Sequence, residues 1–190
     1  TLPEMRILNP SDPISAAKAA NIVHKKKGPS YVRLHKEPRQ TIYSKNFKFN
    51  SEYFFLKKEK KFCIITSGLM TNVALKIYWS LKKENIKVSV LDIFQIKPLN
   101  QKKIAKDLSK FSKIVTIEDN SIIGGIGTIF SDIITDFNLN IKLKKFAIKD
   151  EQTFKYGDTE WLLKQYNLDS SYLIKSIKKI SKSRVFVIFP

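Results

Sequence analysis

A single cysteine, Cys63, leaves no intrachain disulfide and no cysteine-based metal site in a chain of 190 residues. It sits in the apolar run FCIITSG and reads as a small buried core residue. Thiol usage this sparse fits a reducing compartment, so we expect a cytoplasmic protein. No run of about 18 apolar residues occurs, which excludes a membrane-spanning helix. The opening TLPEMRILNP lacks the basic segment and apolar stretch of a secretory signal. Histidine is scarce too: His24 and His35 are the only two, and no Ser-His-Asp, Cys-His or metal-ligand arrangement can be assembled by spacing. Arginine is rare where lysine is abundant. Of 35 basic residues against 17 acidic ones, only Arg6, Arg33, Arg39 and Arg184 are arginines. The net charge of +18 would attract nucleic acid or an anionic membrane. Base readers, however, favour the bidentate fork of arginine. The lysines are spread almost evenly, and neither a nucleic-acid motif nor a stacking-aromatic signature accompanies them. We expect neither nucleic acid nor a membrane as partner, and read the lysine excess as compositional bias.

What is present is a globular core: 43% of residues are hydrophobic. The first 36 residues read as the end of an α/β unit that looks cut off from something larger. MRILNP is a short strand, Asp12 and Pro13 start a helix over ISAAKAANIVHKK, and SYVRLH is a second strand. Two strands cannot stand alone and need a sheet to join. His24 falls late in the helix, where a cation suits the dipole. Residues 37–61 read as a linker without helical period, ending in a lysine-rich run, with KFNSEYFFL able to pair as short edge strands. From Phe62 onward, strands (FCIITSG, IKVSVLDIF, KIVTIED, IKLKKFAIKD) alternate with helical segments, ending in two helices, the last capped by Asp169. That alternation predicts an α/β fold: a mostly parallel sheet of about five strands with helices on both faces. RVFVIFP at the end is either an extra strand or a tail.

In an open parallel sheet, ligands sit beyond the carboxyl ends of the strands. That rule selects Ser67-Gly68, Gln95-Ile96-Lys97-Pro98, Glu118-Asp119-Asn120-Ser121 and Asp150-Glu151. Glu118 and Asp119 are neighbours, so on an extended chain they point in opposite directions and make no acid/base pair. One of them either binds Lys97 or caps the following helix; an interface or ligand role is the alternative. Three of the six glycines follow at Gly124, Gly125 and Gly127. They match neither G-x-G-x-x-G nor a P-loop. They let a helix start close to its neighbour, although an anion at that helix N-terminus is a second reading. Arg33, His35 and Lys36, where SYVRLH ends, form a candidate anion hook, with plain solvent exposure as the alternative. Spacing alone thus describes an α/β module without a complete active site.

The succession MRILNPSDPISAAKAA, GPSYVRLHKEP, ITSGLMTNVALK, VSVLDIFQIKPLN, IVTIEDNSIIGGIGTIFSDII and YGDTEWLLKQYNLD resembles the C-terminal part of the transketolase family. The likeness is strongest to the small subunit of split transketolases. 1-Deoxyxylulose-5-phosphate synthases and the beta subunits of 2-oxoacid dehydrogenases are similar but more distant. The resemblance implies that residues 1–36 end a pyrimidine-binding domain, 37–61 connect, and 62–190 form the C-terminal domain. It implies an enzyme using thiamine diphosphate and magnesium to move a two-carbon ketol unit between sugar phosphates. The family's proton-relay glutamate, pyrimidine pocket and Gly-Asp-Gly metal motif have no match here. The chain alone is therefore expected to bind no cofactor, to be inactive, and to carry no catalytic residue. Its implied partners are the N-terminal section or large subunit, a second copy through a C-terminal-domain dimer contact, and a sugar phosphate. Relatives place a phosphate-binding arginine where Lys36 stands, and Arg33 is the other family-like basic residue. Lysine keeps the charge and loses the planar fork. A deoxyxylulose-phosphate synthase part and a non-catalytic assembly module of the same fold are the alternatives.

Overall fold

The computed structural model describes residues 2–36, 40–59 and 61–182. Asp12 starts the first helix as its spacing predicts. Its side chain accepts from the Ser15 backbone N–H at 2.7 Å, Ser15 returns a bond to the Asp12 N–H, and Pro13 occupies the first turn. This helix, α1 (Pro13–Lys25), joins β1 (Arg6–Leu8) to a parallel neighbour, β2 (Ser30–Val32). His24 lies in its last turn. SYVRLH is thus strand only as far as Val32, and Arg33 to Lys36 lie beyond it.

The sheet that these two strands need is supplied from far along the chain. β1 pairs antiparallel with β6 (Gln95–Lys97), giving a small sheet of order β2-β1-β6. The large sheet contains β3 (Tyr53–Lys57), β4 (Lys61–Thr66), β5 (Ser89–Ile93), β7 (Phe111–Ser121) and β8 (Lys142–Ile148) in the order β3-β5-β4-β7-β8. All its pairings are parallel except β3 with β5. The mostly parallel five-stranded architecture agrees with the expectation from the sequence. β3 comes from KFNSEYFFL, the stretch read as possible edge pairing.

FCIITSG at β4 reads as an unbroken apolar run, and every residue of β5 is buried, because helices cover both their faces. On one face α2 (Leu69–Lys83) and α6 (Ser170–Lys182) bury Met70, Ile77, Leu81, Leu173 and Ile177 against Ile64, Val90 and Val115. On the other, α3 (Gln101–Leu108) and α4 (Ile126–Asp136) bury Ile104, Leu108, Phe130 and Ile133 against Cys63, Ile65 and Leu91. Cys63 is fully buried. α5 (Thr159–Gln165) precedes α6, whose first turn is capped by Asp169 accepting from the Ser171 and Tyr172 N–H groups.

The segment before β3 has no regular structure, yet aromatic rings anchor it. Tyr43, Phe47, Phe49 and Phe54 pack with centroid spacings of 4.6–5.9 Å, and Phe49 meets Phe94 at 5.0 Å. Phe94 belongs to a third cluster with Leu8 and Ala19. RVFVIFP, Arg39 and Arg184 fall outside the described residues.

Candidate functional site at the junction of the two sheets

The carboxyl ends of β4 and β7 meet the small sheet at a cleft of about 330 Å3, lined by Asn9, Arg33, Ser67, Asp119 and Gly124 among others. Two adjacent carboxylates shape it. Because β7 stays extended through Ser121, Glu118 and Asp119 point opposite ways.

Glu118 turns to α4. It is 3% exposed. Its Oε2 accepts from the Ile126 N–H at 2.8 Å and its Oε1 from the Gly127 N–H at 2.9 Å. A carboxylate thus occupies the helix N-terminus where an outside anion would otherwise bind. Burial pushes its pKa up, while the bonds from Gly127, Ile126 and Asn120 pull it down. The glycines make room for this cap. A Cβ on Gly125 would lie 2.0 Å from Glu118 Oε2, and Gly124 has a φ of 73°.

Asp119 turns to the small sheet. Arg33 donates to it bidentately, at 2.7 and 2.9 Å, and to its carbonyl at 3.3 Å. His35 Nε2 stands 3.8 Å from the same carboxylate. Arg33 and His35 therefore face an anion that the protein already supplies. Lys36 is exposed and does not line the cleft. Lys97 reaches neither carboxylate; it donates to the Leu2 carbonyl.

Spacing did not single out the buried polar knot behind the cleft. Asp92, fully buried in β5, accepts from Tyr43 Oη at 2.6 Å, Ser11 Oγ at 2.8 Å and Thr71 Oγ1 at 2.8 Å. Burial pushes its carboxyl up to about 6 against the pull of those three hydroxyls. Tyr43 is pushed upward by burial and by Asp92. Asp12 extends the knot by accepting from the Ile42 and Tyr43 N–H groups at 2.8 and 2.9 Å. Ser67 Oγ donates to the Ile93 carbonyl at 2.7 Å. Gly68, with a φ of 58°, is forced: a Cβ there would lie 2.3 Å from the Asn9 side chain. One carboxylate inside the apolar run VSVLDIF was the signal that could have found Asp92.

Among the described residues, no group of three His, Cys, Asp or Glu side chains could hold a metal ion. Their donor set does not fit a magnesium-bound diphosphate. No described helix is long and apolar enough to cross a membrane.

A family model described as transketolase, C-terminal domain, matches residues 53–172. A 1-deoxy-D-xylulose-5-phosphate synthase of Clostridium tetani is 31% identical over 136 residues, which are 72% of this chain and 22% of that protein. A transketolase of Rattus norvegicus is 30% identical over 183 residues, which are 94% of this chain and 29% of that protein. The chain thus spans less than a third of the length of these relatives. Among solved structures it is similar to a split-gene transketolase described as an inactive beta4 tetramer. The TM-score is 0.85 at 25% identity, over 94% of this chain and 58% of that one.

Proposed function

The chain belongs to the transketolase C-terminal domain family, and from that premise we propose that it is the C-terminal section of a thiamine-diphosphate-dependent transketolase-like enzyme. The complete enzyme moves a two-carbon ketol unit between sugar phosphates. This section contributes scaffold and dimer contact, in the cytoplasm, while the N-terminal section or large subunit holds thiamine diphosphate and magnesium. We read residues 1–36 as the end of the pyrimidine-binding domain and 62–190 as the C-terminal domain. Residues 37–61 are the connection, which lends β3 to the sheet.

One observation carries the scaffold reading. At the carboxyl end of β7, where it meets the small sheet, both acidic groups are already engaged: Glu118 on the start of α4 and Asp119 on Arg33. A carboxylate held on a helix start and another held in an ion pair with a neighbouring segment fix those elements in place, as a scaffold does. Lys36, exposed beyond β2, is the remaining substrate-phosphate candidate, and Arg33 holds its segment to Asp119. The synthase from C. tetani supports a second reading, part of a deoxyxylulose-phosphate synthase.

The test mixes this chain with candidate large subunits, thiamine diphosphate and magnesium, and assays ketol transfer between sugar phosphates. We expect the chain alone to be inactive and the mixture active. Condensation of pyruvate with a triose phosphate instead would select the second reading. No rescue by any partner leaves the assembly role.

A further inference from the structure

A groove of about 680 Å3 runs between β8 and α6, at the edge of the large sheet opposite β3. Its floor includes Phe146, Leu168 and Ile180, and Tyr172 beside it is 42% exposed. Lysines rim it, Lys144 and Lys149 on one side and Lys175 and Lys179 on the other, and no carboxylate is found in the lining among the described residues. β8 pairs with β7 on one side, and among the described residues no strand pairs with its other side. That leaves a row of backbone donors and acceptors on a strand the sequence made lysine-rich.

We propose that this groove takes an acidic, extended segment of a partner polypeptide, which adds to the free edge of β8. An added strand turns alternate side chains to opposite faces. The set turned to the α6 face, apolar side chains mixed with carboxylates, would rest on the Phe146 floor and meet Lys144, Lys175 and Lys179. Charge selects this occupant. A second copy of the chain brings a net +18 to a lysine-lined groove. The chain's own last eight residues, 183–190, contain Arg184 and no acidic side chain. A nucleic acid would satisfy the lysines and leave the strand edge unused. The inference rests on β8 and α6 alone and holds whatever reaction the complete enzyme performs.

The test titrates the full 190-residue chain against a fluorescein-labelled decapeptide in which every second residue is Val or Glu in turn and the rest are Thr, read by anisotropy. We expect saturable binding that weakens at least about tenfold in the Lys144→Glu/Lys149→Glu variant. Raising salt from about 0.05 M to about 0.5 M should weaken it as well. A peptide methylated on alternate backbone nitrogens should lose binding, because its edge donors are gone. A control variant, Lys26→Glu/Lys45→Glu, reverses two exposed lysines elsewhere and should bind as the wild type. Absence of saturable binding overturns the proposal, and so does an equal loss in the control variant. Undiminished binding of the methylated peptide, or an oligothymidylate that binds as tightly with the same dependence on Lys144 and Lys149, replaces it with a general polyanion site. Tighter binding after removal of residues 183–190 also overturns it, since the occupant would then be the chain's own tail.

Discussion

Replacing Asp92 with Asn should remove a specific piece of the protein's pH dependence. Asp92 is fully buried and its carboxyl is pushed from the ordinary 3.8 to about 6. A raised pKa in the folded state means that the folded protein holds this proton more tightly than the unfolded chain does. The associated stability is present in full below about pH 4 and is lost as pH rises through about 6. A shift of roughly two units corresponds to about 3 kcal/mol over the whole window. About 2 kcal/mol of it falls between about pH 4.5 and about pH 7. Asn keeps one oxygen to accept from the hydroxyls of Tyr43 and Ser11, turns its NH2 to Thr71 Oγ1, which can accept as well as donate, and cannot titrate. The assay is urea denaturation of both proteins at several pH values, taking the difference in unfolding free energy at each. Glu118 also has a raised pKa, but it titrates in both proteins and cancels in the difference. Wild type minus variant should fall by about 2 kcal/mol from acid to neutral pH. Two profiles that run parallel would refute the assignment of a protonated Asp92 to the knot.

Glu118→Ala should destabilise the fold by about 1–3 kcal/mol, because two buried N–H groups at the start of α4 lose their acceptor; thermal unfolding measures it. Gly125→Ala should cost about 1–3 kcal/mol by driving a methyl group into Glu118. In the double variant the two costs should fall clearly short of additive, since the obstructed side chain is already gone. Lys36→Ala in the reconstituted enzyme should raise KM for phosphorylated substrates by about tenfold or more, from the loss of a charge-assisted contact of about 1.5–3 kcal/mol; an unchanged KM removes Lys36 from the site.

Local chemistry was legible in the sequence and distant chemistry was not. Asp12, Pro13 and Asp169 announce helix starts because a cap and its partners lie within a few residues. The continuous run FCIITSG at β4 announces a sheet covered on both faces, because burial on both sides leaves little room for a polar side chain. Glu118 could be narrowed to a cap among alternatives, since its partners are eight and nine residues away. The Arg33–Asp119 pair joins residues 86 apart, and Tyr43–Asp92 joins residues 49 apart. No period or motif encodes either. Tyr43 was hidden most completely, because its stretch has neither a helical nor a strand period. Its aromatic neighbours become a cluster only once β1 and α1 are docked. Arg33 and His35 were legible only in part for a related reason. A basic cluster looks like a hook for a ligand until a carboxylate from another strand is found in front of it.

The placement of these polar groups explains what the junction does. Asp12, Asp92 and Asp119 each accept from a segment remote in sequence: the stretch around Tyr43, the loop before α1, and the segment after β2. Apolar side chains of similar size would bury the same surface and could be equally stable, because desolvating a carboxylate offsets much of what its bonds contribute. Apolar contact, however, tolerates sliding. A carboxylate with two or three directed donors does not, since a shift of even an ångström leaves a buried charge unsatisfied. The cost already visible in the raised pKa of Asp92 is thus the cost of register. It sets residues 1–36 at one fixed position on the large sheet. If those residues complete a cofactor-binding domain, that fixed position is what the C-terminal section has to offer the reaction without touching it.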